Sequence, residues 1–174
     1  ISNASDAMTK MRFHSLTNPD YEGKDLPLEI HIDVDEKNKT LTISDAGIGM
    51  TKEEIVQNIG TIAKSGSLEF VKNLSEQVKK DSNIIGQFGV GFYSVFMVAN
   101  EVRLRTKSYK KGETAFEWRS DGSGKYFLHP VDKEKCGTDV VIHLKDDEKE
   151  YTDKLRIQNI IKNLQHFTRI HDYL

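Results

Sequence analysis

Residues 41–51 read Leu41-Thr42-Ile43-Ser44-Asp45-Ala46-Gly47-Ile48-Gly49-Met50-Thr51. Leu41 and Ile43 alternate with Thr40, Thr42 and Ser44, the pattern of a strand with one buried face. Alternate residues of a strand share a face, so Asp45 falls on the apolar side with Leu41 and Ile43. The chain then enters Ala46-Gly47-Ile48-Gly49, where the backbone must turn and can approach a ligand closely. A carboxylate aimed at an apolar interior is costly unless it is paired. Two readings stay open. Asp45 caps its own loop through backbone N–H groups or pairs with a Lys, or it accepts a hydrogen bond from an amine on a bound ligand such as an adenine.

Upstream, Leu28, Ile30, Ile32 and Val34 alternate with Glu29, His31 and Asp33. The charged turn Asp35–Lys39 joins this strand to the next, which predicts an antiparallel hairpin. Further strands are expected at Val102–Thr106, Phe116–Trp118, Tyr126–Leu128 and Thr138–Leu144. Ala4, Met8 and Met11 form one helical stripe over residues 1–16, and Asn3, Asp6, Ala7 and Lys10 form another. Asn18-Pro19-Asp20 ends that helix. Thr51 and Glu54 make a capping box, with Met50 and Ile55 as its hydrophobic staple. Ile157, Ile160, Ile161 and Leu164 mark a final amphipathic helix, capped near Thr152 or Asp153. Alternating strands with one buried face favour an antiparallel or mixed sheet covered by helices on one side. The expected class is α/β (α+β), a two-layer sandwich in a single domain over residues 1–174.

Composition narrows the function. The 174 residues carry 25 Lys+Arg against 27 Asp+Glu, a formal net charge of -2. That balance argues against a non-specific nucleic-acid binder and against a polybasic membrane-surface protein. The longest apolar-leaning run, Gly89 to Ala99, is too short and interrupted to cross a bilayer. No nucleic-acid or membrane partner is therefore expected. A single cysteine, Cys136, excludes an intrachain disulfide framework and a cysteine-cluster zinc site, and favours an intracellular setting. The six histidines show no metal-ligand spacing. Ile1-Ser2-Asn3 has no charged or apolar leader, so the chain reads as starting inside a longer protein.

Other segments suggest phosphate chemistry. Gly86-Gln87-Phe88-Gly89-Val90-Gly91 precedes the apolar Phe92, Val95, Phe96 and Val98. Glycines leading into a buried helix expose backbone N–H groups at the positive end of its dipole. The alternative is a tight turn beneath a packed helix. Gly60-Thr61-Ile62-Ala63-Lys64-Ser65-Gly66 places a Lys and two hydroxyls between glycines. Together the glycines bracket a polar segment of about 60–91, suited to a lid with Lys64 as its phosphate cation, or to an ordinary exposed loop. Asn3 and Asp6 lie one turn apart on the first helix, and an amide oxygen is a fair Mg²⁺ ligand when phosphates and waters supply the rest. Thr138 shares strand parity with Val140, Ile142 and Leu144. One acceptor and one hydroxyl on the buried face of two strands can read a purine edge.

Four of these stretches, Ile1–Ala7, Asp45–Thr51, Gly60–Gly66 and Ile85–Ser94, resemble in order and spacing the N-terminal ATP-binding domain of the heat shock protein 90 molecular chaperones. Trp118 to Gly124 and Ile142 to Lys145 look nearer to the bacterial and mitochondrial members. The resemblance implies a Bergerat-type ATP-binding fold, a mostly antiparallel sheet whose helices form the nucleotide pocket. It implies that Asn3 holds Mg²⁺ and phosphate and that Asp45 takes the adenine amine. Gly49, Met50 and Asn58 would line base and ribose. Lys64 and the loop of Gly86, Gln87, Phe88, Gly89, Val90, Gly91 and Phe92 would contact phosphates. Thr138 would reach adenine through water.

The same resemblance implies ATP or ADP with Mg²⁺ as ligands, and ATP hydrolysis that drives a chaperone clamp in the intact protein. Client proteins, co-chaperones and a full-length homodimer would be its partners, in cytoplasm or mitochondrion. The family's general-base Glu would precede Ile1, so this stretch alone is expected to hydrolyse poorly. Arg169-Ile170-His171-Asp172 stands where the family usually carries an aromatic-Pro pair. Two other classes compete: another ATPase or kinase of the same fold, histidine-kinase-like or DNA-processing, and a nucleotide sensor that does not hydrolyse. The Gly60–Gly66 and Gly86–Phe92 sequences argue against the kinase and DNA-processing relatives.

Overall fold

A computed structural model of the chain describes residues 1–18, 20–60 and 91–165, without the side chains of Leu164 and Gln165. Six strands form one antiparallel sheet: β1 (Ile30–Asp35), β2 (Thr40–Asp45), β3 (Ala99–Lys107), β4 (Ala115–Ser120), β5 (Phe127–Val131) and β6 (Gly137–Leu144). Their spatial order is β1-β2-β6-β3-β4-β5. The β1–β2 hairpin forms as its alternation predicts, with Ile32 opposite Ile43 and Ile30 opposite Asp45. β6 crosses over to lie between β2 and β3, which brings the two ends of the motif-bearing sequence side by side.

The register puts one continuous apolar layer on one face. Leu41 faces Ile142, Ile43 faces Val140, Val102 faces Ile142 and Leu104 faces Trp118. Ile55, Val102 and Trp118 are fully buried there, joined by Ile59, Tyr93 and Phe96 from the covering elements. Phe92 and Tyr126 flank Trp118, with ring centroids 5.6 Å and 6.1 Å away. The opposite face carries charged pairs, among them Arg105–Glu117 at 2.6 Å and Arg103–Glu101 at 2.7 Å. This is the two-layer arrangement that the alternation requires.

Helix α1 (Ser2–Thr17) buries Ala4 and Met11 of its predicted stripe and stops at Asn18. Helix α2 (Lys52–Ile55) begins with the expected capping box: Thr51 accepts from Glu54 N and Glu54 from Thr51 N. It is only one turn long, because Val56–Gly60 widens into a π-helical turn, a distortion that often marks functional sites. The Tyr93 hydroxyl donates to the Ile59 carbonyl in that turn. The final helix, α3 (Lys154–Gln165), is capped by Asp153, whose Oδ1 accepts from Leu155 N at 2.8 Å.

One expectation is corrected. The described chain after Gly91 is not a dipolar α-helix but a five-residue 3₁₀ turn, Tyr93–Met97. Tyr93 and Phe96 must both reach the core three residues apart, a spacing that the 3₁₀ geometry stacks on one side.

Gly137 opens β6 at φ +109, and a Cβ there would lie 2.1 Å from the Asp45 carbonyl oxygen. Both strain and backbone overlap oppose a side chain. Gly137→Ala is expected to cost about 3 kcal/mol or more, read as a fall in the urea midpoint.

Candidate functional site

Asp45 ends β2 directly opposite Thr138 of β6, and Thr138 lies directly opposite Thr106 of β3. All three point to the helix-covered face. Asp45 is half-buried, Thr138 is 8% exposed and Thr106 is fully buried. The Thr106 and Thr138 hydroxyl oxygens are 2.9 Å apart.

The loop after Asp45 is fastened residue by residue. Ala46 N donates to the Glu29 carbonyl at 3.2 Å and Gly47 N to Asp45 Oδ1 at 2.9 Å. Ile48 N reaches the Ala7 carbonyl at 3.3 Å, and the Ile48 carbonyl accepts from Tyr109 N at 2.9 Å. Met50 N donates to Thr106 Oγ1 at 3.0 Å. Gly49 adopts φ +58, and a Cβ there would sit 1.9 Å from the Lys107 carbonyl oxygen. Only glycine lets the loop pass that close to β3.

Asp45 satisfies part of the cap reading and goes beyond it. Its Oδ1 caps the loop at Gly47, yet among the described residues it makes no ion pair. The nearby Lys133 is engaged by Asp139 at 2.7 Å. Burial dominates its electrostatics and pushes the carboxyl up to about 6, against the opposing N–H groups of Gly47 and Thr138. It is an acceptor held short of full satisfaction.

The remaining candidates divide. Met50 packs against the core edge, and Gly49 is buried in the loop. α1 meets the loop through Ala7, which lies in contact range of Gly47. Asn3 is one turn from Ala7 and Asp6 is next to it, so that stripe lies on the side of α1 near the loop, with both side chains exposed. Asn58 is exposed in the π turn, and no described contact joins it to Asp45. Gly91 is exposed, while the partly buried Phe92 ring packs against Trp118. Lys64, Gly86, Gln87, Phe88, Gly89 and Val90 lie outside the described residues.

Thr106 was not among the residues singled out from sequence, although a signal was there. It shares the inward parity of Val102 and Leu104, so a polar residue on the buried face could have been read as it was for Thr138. No three His, Cys, Asp or Glu side chains gather as a metal site among the described residues. One amide oxygen, from Asn3, suits an ion that takes most of its ligands from phosphate and water.

A family profile described as histidine kinase-, DNA gyrase B-, and HSP90-like ATPase matches residues 1–156. The chain belongs to this ATPase family. Its domain is accordingly a nucleotide-binding one. Among similar proteins, the chaperone protein HtpG of Pseudoalteromonas translucida (strain TAC 125) is 51% identical over 162 residues, 92% of this chain and 25% of that protein. HtpG of Desulfotalea psychrophila (strain LSv54 / DSM 12343) is 51% identical over 167 residues, 96% of this chain and 27% of that protein. HtpG of Chlorobium chlorochromatii (strain CaD3) is 45% identical over 175 residues, 100% of this chain and 28% of that protein. The chain spans about a quarter of the length of these relatives. The antiparallel sheet with helices on one face is consistent with the expected Bergerat-type fold.

The raised Asp45 carboxyl has a consequence for stability. Folding favours its protonated form, so its contribution is greatest below the unfolded value near 4 and is lost as pH rises through about 6. About two units correspond to about 3 kcal/mol. Asp45→Asn removes the buried charge and keeps an acceptor for Gly47. It should melt higher than the parent at pH 8, with the advantage shrinking to nothing by about pH 4. Thermal unfolding across that range checks the sign.

Proposed function

We propose that residues 1–174 are one nucleotide-binding domain of a HtpG-type chaperone, in which ATP hydrolysis drives a clamp that assists protein folding. The observation that carries the reading is the half-buried Asp45 carboxylate, without an ion pair among the described residues, beside the Thr138 hydroxyl. An ionised carboxyl accepts only, and a hydroxyl can donate, so the pair suits an adenine edge with its amine on Asp45. Gly49 and Met50 would carry the loop along the base, with Asn58 toward the ribose. Asn3 would hold Mg²⁺, which supplies charge neutralisation at the phosphates when bound, and Asp6 would border the same side. Lys64 and the backbone from Gly86 to Phe92 would receive phosphates from a lid over about 60–91.

Relatives at about half identity named chaperone protein HtpG support the chaperone over the histidine-kinase or DNA-gyrase branches of the family. Client proteins, co-chaperones and a homodimer belong to the same proposal for the longer protein. These HtpG relatives are bacterial, which supports a bacterial cytoplasm and lends nothing to the mitochondrial alternative. No described helix is long and apolar enough to cross a membrane.

Calorimetric titration tests the roles separately. Asp45→Asn should abolish saturable ADP binding while circular dichroism stays unchanged, and retained affinity would refute the adenine role. Asn3→Ala should weaken ATP about tenfold or more with Mg²⁺ present and far less in EDTA. Equal losses in both conditions would remove the metal assignment.

A further inference from the structure

On the sheet face turned away from Asp45, guanidiniums outnumber the carboxylates that serve them. Val102, Leu104 and Trp118 are buried on the helix-covered side, so alternation turns Arg103 and Arg105 of β3 and Arg119 of β4 outward. Arg103 lies directly opposite Arg119, and like charges in that position oppose pairing unless they are compensated. Glu101 accepts from Arg103 Nε at 2.7 Å, and its other oxygen lies 3.8 Å from Arg119 Nε. The same carboxylate lies 3.9 Å from His143 Nε2. Glu117 accepts from Arg105 Nε at 2.6 Å and lies 3.8 Å from His129 Nε2. Asp139, opposite Arg105, is taken by Lys133 at 2.7 Å. Two carboxylates are thus shared among three guanidiniums and two imidazoles.

The guanidinium contacts run through Nε. Among the described residues, the Nη groups of Arg103, Arg105 and Arg119 make no hydrogen bond. Their side chains are 35%, 49% and 39% exposed. Arg119 lies over the Phe127 ring, 5.0 Å from its centroid, and Phe127 is itself 63% exposed. The planar outer end of a guanidinium matches the two oxygens of a carboxylate. We propose that Arg103, Arg105, Arg119 and Phe127 form a docking surface for an acidic peptide segment of a protein partner. Its carboxylates take the unspent Nη edges, and an apolar side chain beside them packs on Phe127. Charge complementarity selects this occupant, because the segment supplies the negative charge that Glu101 cannot give to both Arg103 and Arg119. A nucleic acid is gripped through more phosphate contacts than three arginines offer, and the chain's net charge of -2 opposes it. The surface lies across the sheet from Asp45 and does not depend on the nucleotide reading.

The test is calorimetry of the chain with the capped peptide Ser-Asp-Glu-Leu-Glu-Asp-Ser and with its twin carrying Asn and Gln in place of Asp and Glu. The acidic peptide should bind about tenfold or more tightly than the twin, the value of one charge-assisted hydrogen bond. The double variant Arg103→Gln/Arg119→Gln should reduce that ratio to about twofold or less, with circular dichroism unchanged. The control Lys154→Gln/Arg156→Gln removes the same charge from α3 and should leave the ratio as it is in the parent. Equal binding of the two peptides by the parent would overturn the proposal, a result that needs no variant to fold. An equal loss in both double variants would overturn it too, since the attraction would then be general. So would tighter binding of an oligothymidylate or of phosphatidylserine vesicles than of the acidic peptide.

Discussion

A carboxylate on the inward face of a sheet has to be accommodated by everything around it. Asp45 is placed there by strand parity, and one of its oxygens is taken by the Gly47 N–H at 2.9 Å. Burial pushes its carboxyl up to about 6. The loop that follows can run only where glycines allow, with Gly49 against Lys107 and Gly137 against the Asp45 backbone. Thr138 and Thr106 are brought beside it by the crossover that inserts β6 between β2 and β3. The path of the loop and the sheet topology are thus consequences of one arrangement. A polar row of Thr106, Thr138 and Asp45 is embedded in an otherwise apolar layer.

Much of this was legible in residues 41–51 and 138–144. Period-two alternation assigned the strands and their faces, because a one-residue slip would have turned Leu41, Ile43 and Ile142 to the charged side. The same alternation pointed Asp45 and Thr138 inward before any partner was known. The Thr51–Glu54 box marked the start of α2, since both halves of that motif are local. The cap of the last helix was narrowed to Thr152 or Asp153 for the same reason, and Asp153 takes it.

What escaped depends on contacts between distant segments. Nothing in Val56–Gly60 announces a π turn, which is braced by the Tyr93 hydroxyl from 34 positions away. The 3₁₀ turn at Tyr93–Met97 is set by which aromatic rings the core must receive, so apolar spacing alone suggested an ordinary helix. Thr106 carries no motif. Its place beside Thr138 and Met50 appears only when β3 is registered against β6. The resemblance supplied roles for Asn3, Asn58 and the glycine loop that parity and capping rules do not reach.

The claim on which these relations turn is that Asp45 is a half-buried carboxylate with acceptor capacity left for the amine of a base. Titrating its side-chain carboxyl by carbon NMR, in the free chain and saturated with ADP, addresses it directly. The free midpoint should lie at about 6, and it should fall by about one unit or more when the amine of the base stabilises the ionised form. A free midpoint near the ordinary carboxylate value, or one that ADP leaves unmoved, would contradict it.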